Sequence, residues 1–480
     1  MRLGDLLEKV NIEASFADME LDVRGISYDT RTLQPGDLFV AFKGLRFDGH
    51  EHIEEAIYKG AVCVVCAKAP TGDVPYIIVS EPRKALAGIS AAWFGYPADK
   101  LKIVGVTGTN GKTTVATMVK RIIEYCGGGK AGLIGTNGNM IGSKVYRSTH
   151  TTPESYELQK LLALMADNDC RYVVMEVSSH ALAMSRVHGI CFEVGIYTNL
   201  SPDHLDFHNS MDEYANVKAS FFTACRYAAI NIDDAYAPLM IDNASGYVYK
   251  YSVNNHDVDL HGTEIKLMPD KVEFLAIAAG KSNKIELYIP GLYTIYNALA
   301  AISAGLLLGV SIECVVPALQ IFESVSGRAE VVTTGTDYTV LIDYAHTPDA
   351  LLNIISATRE YAQGRIVTLF GCGGDRDRSK RPIMGDIASR HSDFVIVTSD
   401  NPRSEEPGAI IAEILTGMAD TKTPYMVIEN RRDAIRWALD NSRTGDVLIL
   451  AGKGHETYQI VGTEKRHFDE REIVSEYFAE

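Results

Sequence analysis

Short runs of apolar residues, each followed at once by polar or charged residues, recur along this chain. The runs are continuous rather than alternating, which is typical of strands buried on both faces of a parallel sheet. Helical periodicity in the intervening stretches then predicts an α/β fold. Seven of the runs precede polar motifs, and they span residues 103–106, 172–175, 196–197, 340–342, 366–370, 394–397 and 447–450.

The order of these runs predicts where a ligand would bind. In open parallel sheets, ligands bind beyond the carboxyl ends of the strands, and each of the seven motifs follows the end of a run. A break in the pattern at residues 324–328 separates the first three runs from the last four. We therefore expect two doubly wound sheets that contribute to one shared cleft.

Composition and charge narrow the class of protein. A length of 480 residues exceeds the size of a single core and predicts two to four domains. With 46% hydrophobic and 22% charged residues, the chain has the composition of a folded globular protein. The net charge of -16 argues against a general nucleic-acid binder, which needs a basic face. Small polyanions are not excluded, because local arginines and backbone amides can hold them.

Neither a membrane span nor a disulfide framework is indicated. The most apolar stretch, residues 298–319, is interrupted by glycines, Ser311, Glu313 and Pro317. It predicts two buried helices and no membrane insertion. The amino terminus lacks the apolar core of a signal peptide, so we expect a cytoplasmic protein with eight cysteines as buried thiols. The C-x-x-C pair lies in a predicted strand at 61–66, where positions three apart point to opposite faces.

A glycine-rich loop joins the run at 103–106 to a predicted helix at 115–125. It reads G-x-x-G-K-T-T, with Val106 where the longer form of the motif has a glycine. Glycines let backbone amides turn toward a phosphate, and the helix amino terminus adds positive potential. Lys112 is expected to reach the β- and γ-phosphates of ATP, and Thr113 to bind Mg²⁺. The flanking strand and helix favour this interpretation over a glycine-rich turn with no ligand.

Three further polar residues do not indicate a function by themselves. Glu176 follows a buried run and fits either a magnesium ligand or a solvated carboxylate. His204 is consistent with a structural histidine as well as with a metal ligand. Lys218 lies in a predicted helix at 211–223, where its spacing alone indicates a surface lysine.

Two loops carry arginines at predicted strand ends. The loop at residues 373–382 is rich in glycine and basic residues, a composition that grips an anion more often than it forms a solvated turn. Arg403 has the same position after the next run, and a planar guanidinium suits bidentate recognition of a carboxylate.

Taken in order, these motifs resemble those of the Mur ligases of bacterial cell-wall synthesis, over essentially the whole chain. The matching segments are residues 29–31, 35–41, 108–114, 151–153, 176–180, 203–206, 327–328, 343–348, 373–382, 400–403 and 452–456. The resemblance implies three domains. They are a uridine-nucleotide domain at 1–99, a central P-loop ATPase-like domain at 100–327 and a Rossmann-like amino-acid domain at 328–480.

The resemblance also implies a reaction. ATP would phosphorylate the D-glutamate γ-carboxylate of UDP-MurNAc-L-Ala-D-Glu, and an amine of meso-2,6-diaminopimelate would attack the acyl phosphate to form an amide. The implied cofactors are ATP and Mg²⁺, and we expect a monomer without a nucleic-acid partner. Four residues would be catalytic, namely Lys112, Glu176, His204 and Lys218.

Position by position, the resemblance assigns residues to four sites. The ATP site would consist of Gly108, Thr109, Asn110, Gly111, Lys112, Thr113, Thr114, Asn297, Arg328 and Asp343. The nucleotide-dipeptide site would consist of Tyr28, Thr30, Leu45, Arg46, Phe47, His150, Thr151, Thr152, Ser178 and Arg186. The diaminopimelate site would consist of Arg376, Asp400, Asn401, Pro402, Arg403, Gly452 and Glu456. The magnesium ligands would be Thr113, Glu176, His204 and Lys218.

Lys218 matches the lysine that is carbamylated to N6-carboxylysine in this family. The modification would turn a cation into an anion able to bind magnesium. Two positions depart from the family pattern. Met184 stands where a glutamine is usual, so it is left out of the substrate site. Thr294 stands where an asparagine is usual, which leaves Asn297 as the candidate on the adenine side.

Three alternatives stay open from the sequence. The same ligase could use L-lysine, although lysine-adding relatives generally differ in the Asp-Asn-Pro-Arg loop at 400–403. A folylpolyglutamate synthetase is related, but it lacks the first uridine-binding domain. A P-loop switch or regulatory module would use ATP without making a bond.

Overall fold

The computed structural model describes residues 1–44, 47–71, 74–148, 150–204, 207–322 and 324–479. Three sheets follow one another along the chain, each covered by helices. The predicted α/β class with several parallel sheets is confirmed. The domain boundaries at residues 99 and 327 stay predictions.

The first sheet has five strands in the order β1-β5-β4-β3-β2. Its strands are β1 Ala14–Phe16, β2 Gly25–Ser27, β3 Asp37–Val40, β4 Cys63–Cys66 and β5 Tyr76–Ile78, and its helices are α1 Leu3–Leu7, α2 Ile53–Tyr58 and α3 Pro82–Trp93. Cys63 and Cys66 belong to two different apolar clusters. They therefore point to opposite faces of β4, as predicted.

The central sheet has eleven strands in the order β16-β15-β14-β13-β12-β11-β6-β10-β7-β8-β9. The strands are β6 Lys102–Thr107, β7 Ala131–Ile134, β8 Asn139–Ile141, β9 Lys144–Tyr146, β10 Tyr172–Glu176, β11 Phe192–Tyr197, β12 Cys225–Asn231, β13 Tyr247–Ser252, β14 Leu260–Leu267, β15 Val272–Ala278 and β16 Lys281–Leu287. The helices are α4 Lys112–Tyr125, α5 Ser155–Asp167, α6 Ser179–Ala183, α7 Met211–Ala219, α8 Ala237–Asp242, α9 Leu292–Leu307 and α10 Ile312–Gln320.

The two apolar helices predicted over residues 298–319 are α9 and α10, and both pack in the core of the central sheet. Gly309 adopts a left-handed conformation between them, where it ends the first helix. Gly305 and Pro317 lie inside the helices rather than between them. Within the described ranges, every helix is too short or too polar to cross a membrane.

The third sheet has six strands in the order β17-β18-β22-β19-β20-β21. The strands are β17 Glu330–Val332, β18 Thr339–Asp343, β19 Ile366–Phe370, β20 Phe394–Val397, β21 Tyr425–Val427 and β22 Val447–Ala451, and a hairpin of β23 Tyr458–Val461 and β24 Glu464–His467 follows. The helices are α11 Pro348–Arg359, α12 Lys380–His391, α13 Pro407–Thr416, α14 Arg431–Asn441 and α15 Glu470–Ala479.

The seven predicted runs are strands in parallel pairing. In the central sheet β10, β6 and β11 are neighbours, and in the third sheet β18, β22, β19 and β20 are neighbours. The strand ends are level, since Glu176 pairs with Val106 and Asp343 pairs with Ala451. The polar motifs of each sheet therefore lie along one edge, as expected.

The cysteine expectation is wrong for one pair. Cys126, directly after α4, and Cys314 in α10 form a disulfide with Cα atoms 5.8 Å apart. The two residues are 188 positions apart and meet because their helices pack together, which no sequence spacing could indicate. Cys191 is exposed, while the other five cysteines are buried thiols as expected.

Candidate active site

The glycine-rich loop lies at the end of β6 and leads into α4. Gly108 and Gly111 both have positive φ angles, of 146° and 84°. A Cβ at Gly108 would lie 1.9 Å from Thr198 Oγ1, and one at Gly111 would lie 2.4 Å from Asn297 Oδ1. Only glycine fits at these positions, so the loop is built to bring its backbone close to its neighbours. Asn297 is thereby placed directly against the loop.

Two lysines converge on this loop from different elements. Lys112 Nζ donates to the carbonyl oxygens of Gly108 and Thr109 at 3.0 and 2.8 Å. Lys218 Nζ, from α7, donates to the same Gly108 oxygen at 2.8 Å. Burial lowers the pKa of Lys112, with Glu176 opposing the shift. Burial lowers the pKa of Lys218 far more, and the nearby charge of Lys112 adds to the effect.

Lys218 is not the surface lysine that its spacing indicates. Its side chain is 1% exposed, and its Nζ lies 4.7 Å from the ring centre of Tyr214. The Tyr214 hydroxyl bonds to Thr109 Oγ1 at 3.1 Å. His204 packs near the other side of this group, with its ring 6.4 Å from that of Tyr214. Tyr214 thus joins the phosphate loop, Lys218 and His204 in one cluster.

Glu176 is buried at the end of β10, so the interpretation as a solvated carboxylate is wrong. Its Oε2 accepts hydrogen bonds from the hydroxyls of Thr113 and Thr136 at 3.0 and 3.1 Å. Its Oε1 accepts from the Thr136 amide at 2.8 Å. Oxygen ligands of this kind are preferred by Mg²⁺, and the Thr113 hydroxyl already lies beside the carboxylate. Among the described residues, no group of three or more His, Cys, Asp or Glu side chains forms a ready metal cluster.

Four of the predicted substrate residues surround Glu176. Thr152 Oγ1 donates to the Glu176 carbonyl at 2.8 Å and accepts from the Ser178 amide at 3.1 Å. Thr151 Oγ1 lies 3.0 Å from Thr136 Oγ1. Arg186 Nη1 donates to the Thr152 carbonyl at 3.0 Å. His150 is exposed next to this group.

The remaining nucleotide-site predictions fall in the first domain. Tyr28 donates to Glu157 Oε2 in α5 at 2.8 Å, and Thr30 donates to Glu55 Oε2 at 3.0 Å. Burial and Glu157 raise the pKa of the Tyr28 phenol, so it stays a neutral donor. The Phe47 side chain is 55% exposed. Leu45 and Arg46 lie outside the described residues.

Arg328 and Asp343 lie together at the third sheet, where the Ala329 amide next to Arg328 donates to Asp343 Oδ2 at 2.7 Å. Burial raises the pKa of Asp343, and Arg328 opposes the shift. The charge of Arg328 is also one of the causes that lower the pKa of Lys112, after burial. The Asp343 carbonyl accepts from the Gly452 amide at 3.0 Å. The predicted ATP and amino-acid sites therefore adjoin at neighbouring strand ends.

The 400–403 and 452–456 loops form a second cluster. Asn401 Nδ2 donates to Glu456 Oε2 at 2.9 Å, and Asn401 Oδ1 accepts from the Ile460 amide at 2.9 Å. Lys453, which is fully buried, donates to Asn401 Oδ1 at 3.3 Å and to Glu456 Oε2 at 3.1 Å. Asp400 lies against Gly452, where an added Cβ would be 2.9 Å from its Oδ2.

Three of the four basic residues in the arginine-rich loop at 373–382 already bond other groups of the protein. Arg378 and Arg381 form ion pairs with Glu413, and Lys380 donates to the His346 carbonyl. Arg376 is exposed, and it forms no ion pair with any described residue. The expectation therefore narrows to Arg376 in this loop, together with Arg403 in the next. Pro402 lies between Asn401 and Arg403, and its carbonyl accepts from the Glu405 amide.

Sequence reasoning missed two residues of these clusters. Thr136 follows the end of β7, a short apolar run, and it bonds Glu176 through both its hydroxyl and its amide. Lys453 lies inside a motif that matched, but its burial against Asn401 and Glu456 has no signal in the sequence. Thr294, the departure from the family pattern, donates to the Pro290 carbonyl within the first turn of α9.

Comparisons with known proteins agree with this architecture. Three family models match the chain, namely the Mur ligase middle domain at residues 106–305, the Mur ligase glutamate ligase domain at 327–454 and the Mur ligase family catalytic domain at 22–93. A curated relative from Caldanaerobacter subterraneus subsp. tengcongensis is 49% identical over 483 residues, covering 100% of this chain and 99% of that protein. It is named UDP-N-acetylmuramoyl-L-alanyl-D-glutamate–2,6-diaminopimelate ligase.

A relative from Clostridium acetobutylicum, whose name gives the same ligase activity, is 44% identical and covers 100% of both chains. A solved structure of a ligase with this name has a TM-score of 0.74 and 29% identity, and it covers 100% of this chain and 99% of its own. A folylpolyglutamate synthase of Mycobacterium tuberculosis shares the fold at a TM-score of 0.62 with 18% identity, over 77% of this chain and 92% of its own. The chain belongs to the Mur ligase family and is an ATP-dependent ligase that forms a carbon–nitrogen bond.

Proposed function

We propose that this enzyme joins meso-2,6-diaminopimelate to the D-glutamate γ-carboxylate of UDP-MurNAc-L-Ala-D-Glu, a step in peptidoglycan precursor synthesis, with ATP converted to ADP and phosphate. The observation that carries the proposal is the hydrogen-bonded pair of loops that bear Arg376 and Arg403, the second of which bonds Glu456 through Asn401. The full-length relatives named for this reaction support it. The domain roles at 1–99, 100–327 and 328–480 belong to the same proposal.

ATP is proposed to bind along the loop from Gly108 to Thr114, with its adenine toward Asn297 and with Arg328 and Asp343 on the ATP side of the cleft. Backbone amides at the start of α4 and the Lys112 ammonium group offset the charge of the phosphates. Lys112 is held by two carbonyl oxygens of the loop itself, so it is already oriented before a phosphate arrives. Such preorganisation costs nothing at the moment of reaction.

The residues around Glu176 fit a magnesium site. The Thr113 hydroxyl and the Glu176 carboxylate are hard oxygen ligands 3.0 Å apart, and we propose that they hold Mg²⁺ with His204 and Lys218. When bound, the ion would offset charge on the γ-phosphoryl group. A cationic Lys218 does not fit beside a metal, but a carbamate would supply oxygen ligands. Its depressed pKa supports this modification, because only a neutral amine attacks carbon dioxide.

Two steps complete the proposed chemistry. The γ-carboxylate attacks the γ-phosphorus of ATP in line, and ADP leaves. The neutral amine of diaminopimelate then attacks the acyl carbon, loses a proton and expels inorganic phosphate. Thr151, Thr152, Ser178 and Arg186 would hold the peptide acid beside Glu176, while Tyr28, Thr30 and the 45–47 loop would hold the uridine end. This arrangement brings the reacting oxygen to the phosphate.

The amino-acid substrate is proposed to bind between the two loops of the third sheet. Arg376 and Arg403 would bind the carboxylate that lysine lacks, and Glu456 would accept from an ammonium group. A site with two unmatched guanidinium groups disfavours lysine, since its polar groups would stay unpaired. Asp400, Pro402 and Gly452 shape this pocket. Closure of the third domain would exclude water from the acyl phosphate, and small-angle scattering should show compaction with ligands.

Product analysis tests the proposal directly. The purified enzyme is incubated with UDP-MurNAc-L-Ala-D-Glu, ATP, and an equal mixture of diaminopimelate and L-lysine, and the products are identified by mass spectrometry. The diaminopimelate tripeptide should dominate. A lysine tripeptide would favour the lysine-adding alternative, and phosphate release without any coupled product would favour a switch. We also propose that the enzyme works as a monomer in the cytoplasm, which light scattering and fractionation would check.

A further inference from the structure

The two arginine-bearing loops of the third sheet are bonded to each other. The Gly374 amide donates to the Asn401 carbonyl at 2.9 Å, and Arg403 Nη1 donates to the Gly374 carbonyl at 2.8 Å. The Ser404 hydroxyl donates to Asp375 Oδ1 at 2.6 Å. A Cβ at Gly374 would lie 1.9 Å from the Pro402 carbonyl oxygen. The loops at 373–376 and 400–405 therefore form one closely packed unit.

This unit holds two residues in an uncommon backbone conformation. Asp375 and Arg403 have φ angles of 53° and 51°, in the left-handed region that residues other than glycine seldom adopt. Such conformations persist only where the surroundings hold them. Asp375 directly precedes Arg376, one of the two proposed ligand arginines, and Arg403 is the other.

Arg381 lies under this unit, at the start of α12, and its side chain is completely buried. Its guanidinium forms a two-point ion pair with Glu405, with nitrogen–oxygen distances of 2.9 and 2.8 Å. It also bonds Glu413 at 2.8 Å and the Gly373 carbonyl at 3.3 Å. Glu405 Oε1 in turn accepts from the Asp375 amide at 2.7 Å. One buried cation thus bonds the backbone of the 373–376 loop and the Glu405 side chain of the 400–405 loop.

Arg381 cannot act as a ligand itself, because its charge is matched by two carboxylates and its side chain has no exposed surface. We propose that Arg381 is a positioning residue, which through Glu405 sets the separation of Arg376 and Arg403 and thereby the selectivity for an amino acid with a second carboxylate. The inference rests on the proposed function. A bidentate guanidinium contact depends on its angle as well as its distance, so a shift of either loop weakens recognition of that carboxylate without touching the phosphate loop.

Glu405→Gln is the sharpest test, because it keeps the size of the side chain and removes only its charge. The full-length variant should show a KM for diaminopimelate raised roughly tenfold or more, as expected for losing a charged hydrogen-bond partner. The KM values for ATP and the nucleotide-dipeptide, and kcat at saturation, should stay near those of the wild type. The ratio of kcat/KM for diaminopimelate over L-lysine should fall by the same factor.

Glu413→Gln is the matched control. It removes a carboxylate from the same guanidinium, but Glu413 bonds the side chains of Arg378 and Arg381 rather than either loop's backbone. Its KM for diaminopimelate should stay within about twofold of the wild type. Ser404→Ala, which breaks a cross-loop bond while leaving Arg381 paired, should give a smaller rise in the same KM and covers the case in which Glu405→Gln does not fold.

The outcomes separate this inference from the proposed function. If the wild type does not couple diaminopimelate, the proposed function fails. If it does, the positioning role is overturned by unchanged KM values in Glu405→Gln and Ser404→Ala. An equal rise in Glu413→Gln, or a lower kcat with no change in selectivity, also overturns it, because either would indicate a general loss of folded enzyme.

Discussion

Lys112 and Lys218 donate hydrogen bonds to one and the same acceptor, the carbonyl oxygen of Gly108, at 3.0 and 2.8 Å. A carbonyl oxygen has two lone pairs and can accept both donors. Two ammonium groups this close disfavour each other's charge, and burial disfavours it further. Of the two, Lys218 has the pKa that is lowered well below its usual value. The phosphate loop therefore brings two lysines together whose pKa values are both lowered, chiefly by burial.

We expect Lys218 to be carbamylated by dissolved carbon dioxide, with release of one proton, because its lowered pKa favours the neutral amine that reacts. Lys218→Ala should lower kcat by about 100-fold or more, since it removes a charged group from the reaction centre. Small carboxylic acids such as acetate should restore part of the activity by supplying the missing carboxylate. Lys144→Ala, on exposed β9, is the control and should respond to neither change. Full activity in Lys218→Ala would remove the proposed role.

Lys112→Met should abolish coupling of the two substrates while leaving the fold intact. The side chain keeps its length but loses the charge that is proposed to meet the β- and γ-phosphates, so kcat should drop by about 100-fold or more. Lys120→Met, further along the same helix, should retain activity because Lys120 pairs with Glu124 rather than the loop. Phosphate release coupled to product formation is the measurement. Normal coupling in Lys112→Met would contradict the phosphate-loop assignment.

Lys453→Met should weaken binding of the amino-acid substrate. Lys453 holds both Asn401 and Glu456, and its loss leaves the partly buried Glu456 carboxylate without its cation. The KM for diaminopimelate should rise about tenfold or more, with little change in the KM for ATP. Lys465→Met is the control, since Lys465 lies over the Tyr458 ring but bonds neither Asn401 nor Glu456. Similar KM values in the two variants would show that Lys453 has no such role.

The Arg381–Glu405 pair should make stability depend on pH in acid. Arg381 is the main cause that lowers the pKa of Glu405 from 4.5 to about 2. A carboxyl group with a lower pKa in the folded state stabilises the fold fully above its unfolded pKa, and this contribution is lost as the pH falls through the folded pKa. Glu405→Gln should therefore melt below the wild type at neutral pH. The difference should shrink between about pH 4.5 and pH 2, as measured by thermal unfolding across that range; a constant difference would contradict the pair's role.

Much of the fold could be predicted because its signals are local. The run at 366–370 is β19 and the run at 394–397 is β20, with the same bounds in sequence and structure. The phosphate loop could also be predicted, because glycines, a preceding strand and a following helix all lie within a short segment. Pairing between distant segments has no such local signal in the sequence. The Cys126–Cys314 disulfide and the full extent of the eleven-stranded sheet both depend on contacts across many residues.

The gathering of polar residues at the carboxyl ends of parallel strands could be predicted from the sequence alone. Buried strands appear as runs of neighbouring apolar residues, so the signal is local. The burial and the partners of each charged side chain, in contrast, became clear only from the three-dimensional structure. Arg376 and Arg381 lie in one basic segment and look alike in sequence, yet one is exposed and the other is buried between two carboxylates. Lys218 likewise has the spacing of a surface lysine but is buried, and burial lowers its pKa. Burial and nearby charges set these properties, and both act through space rather than along the chain.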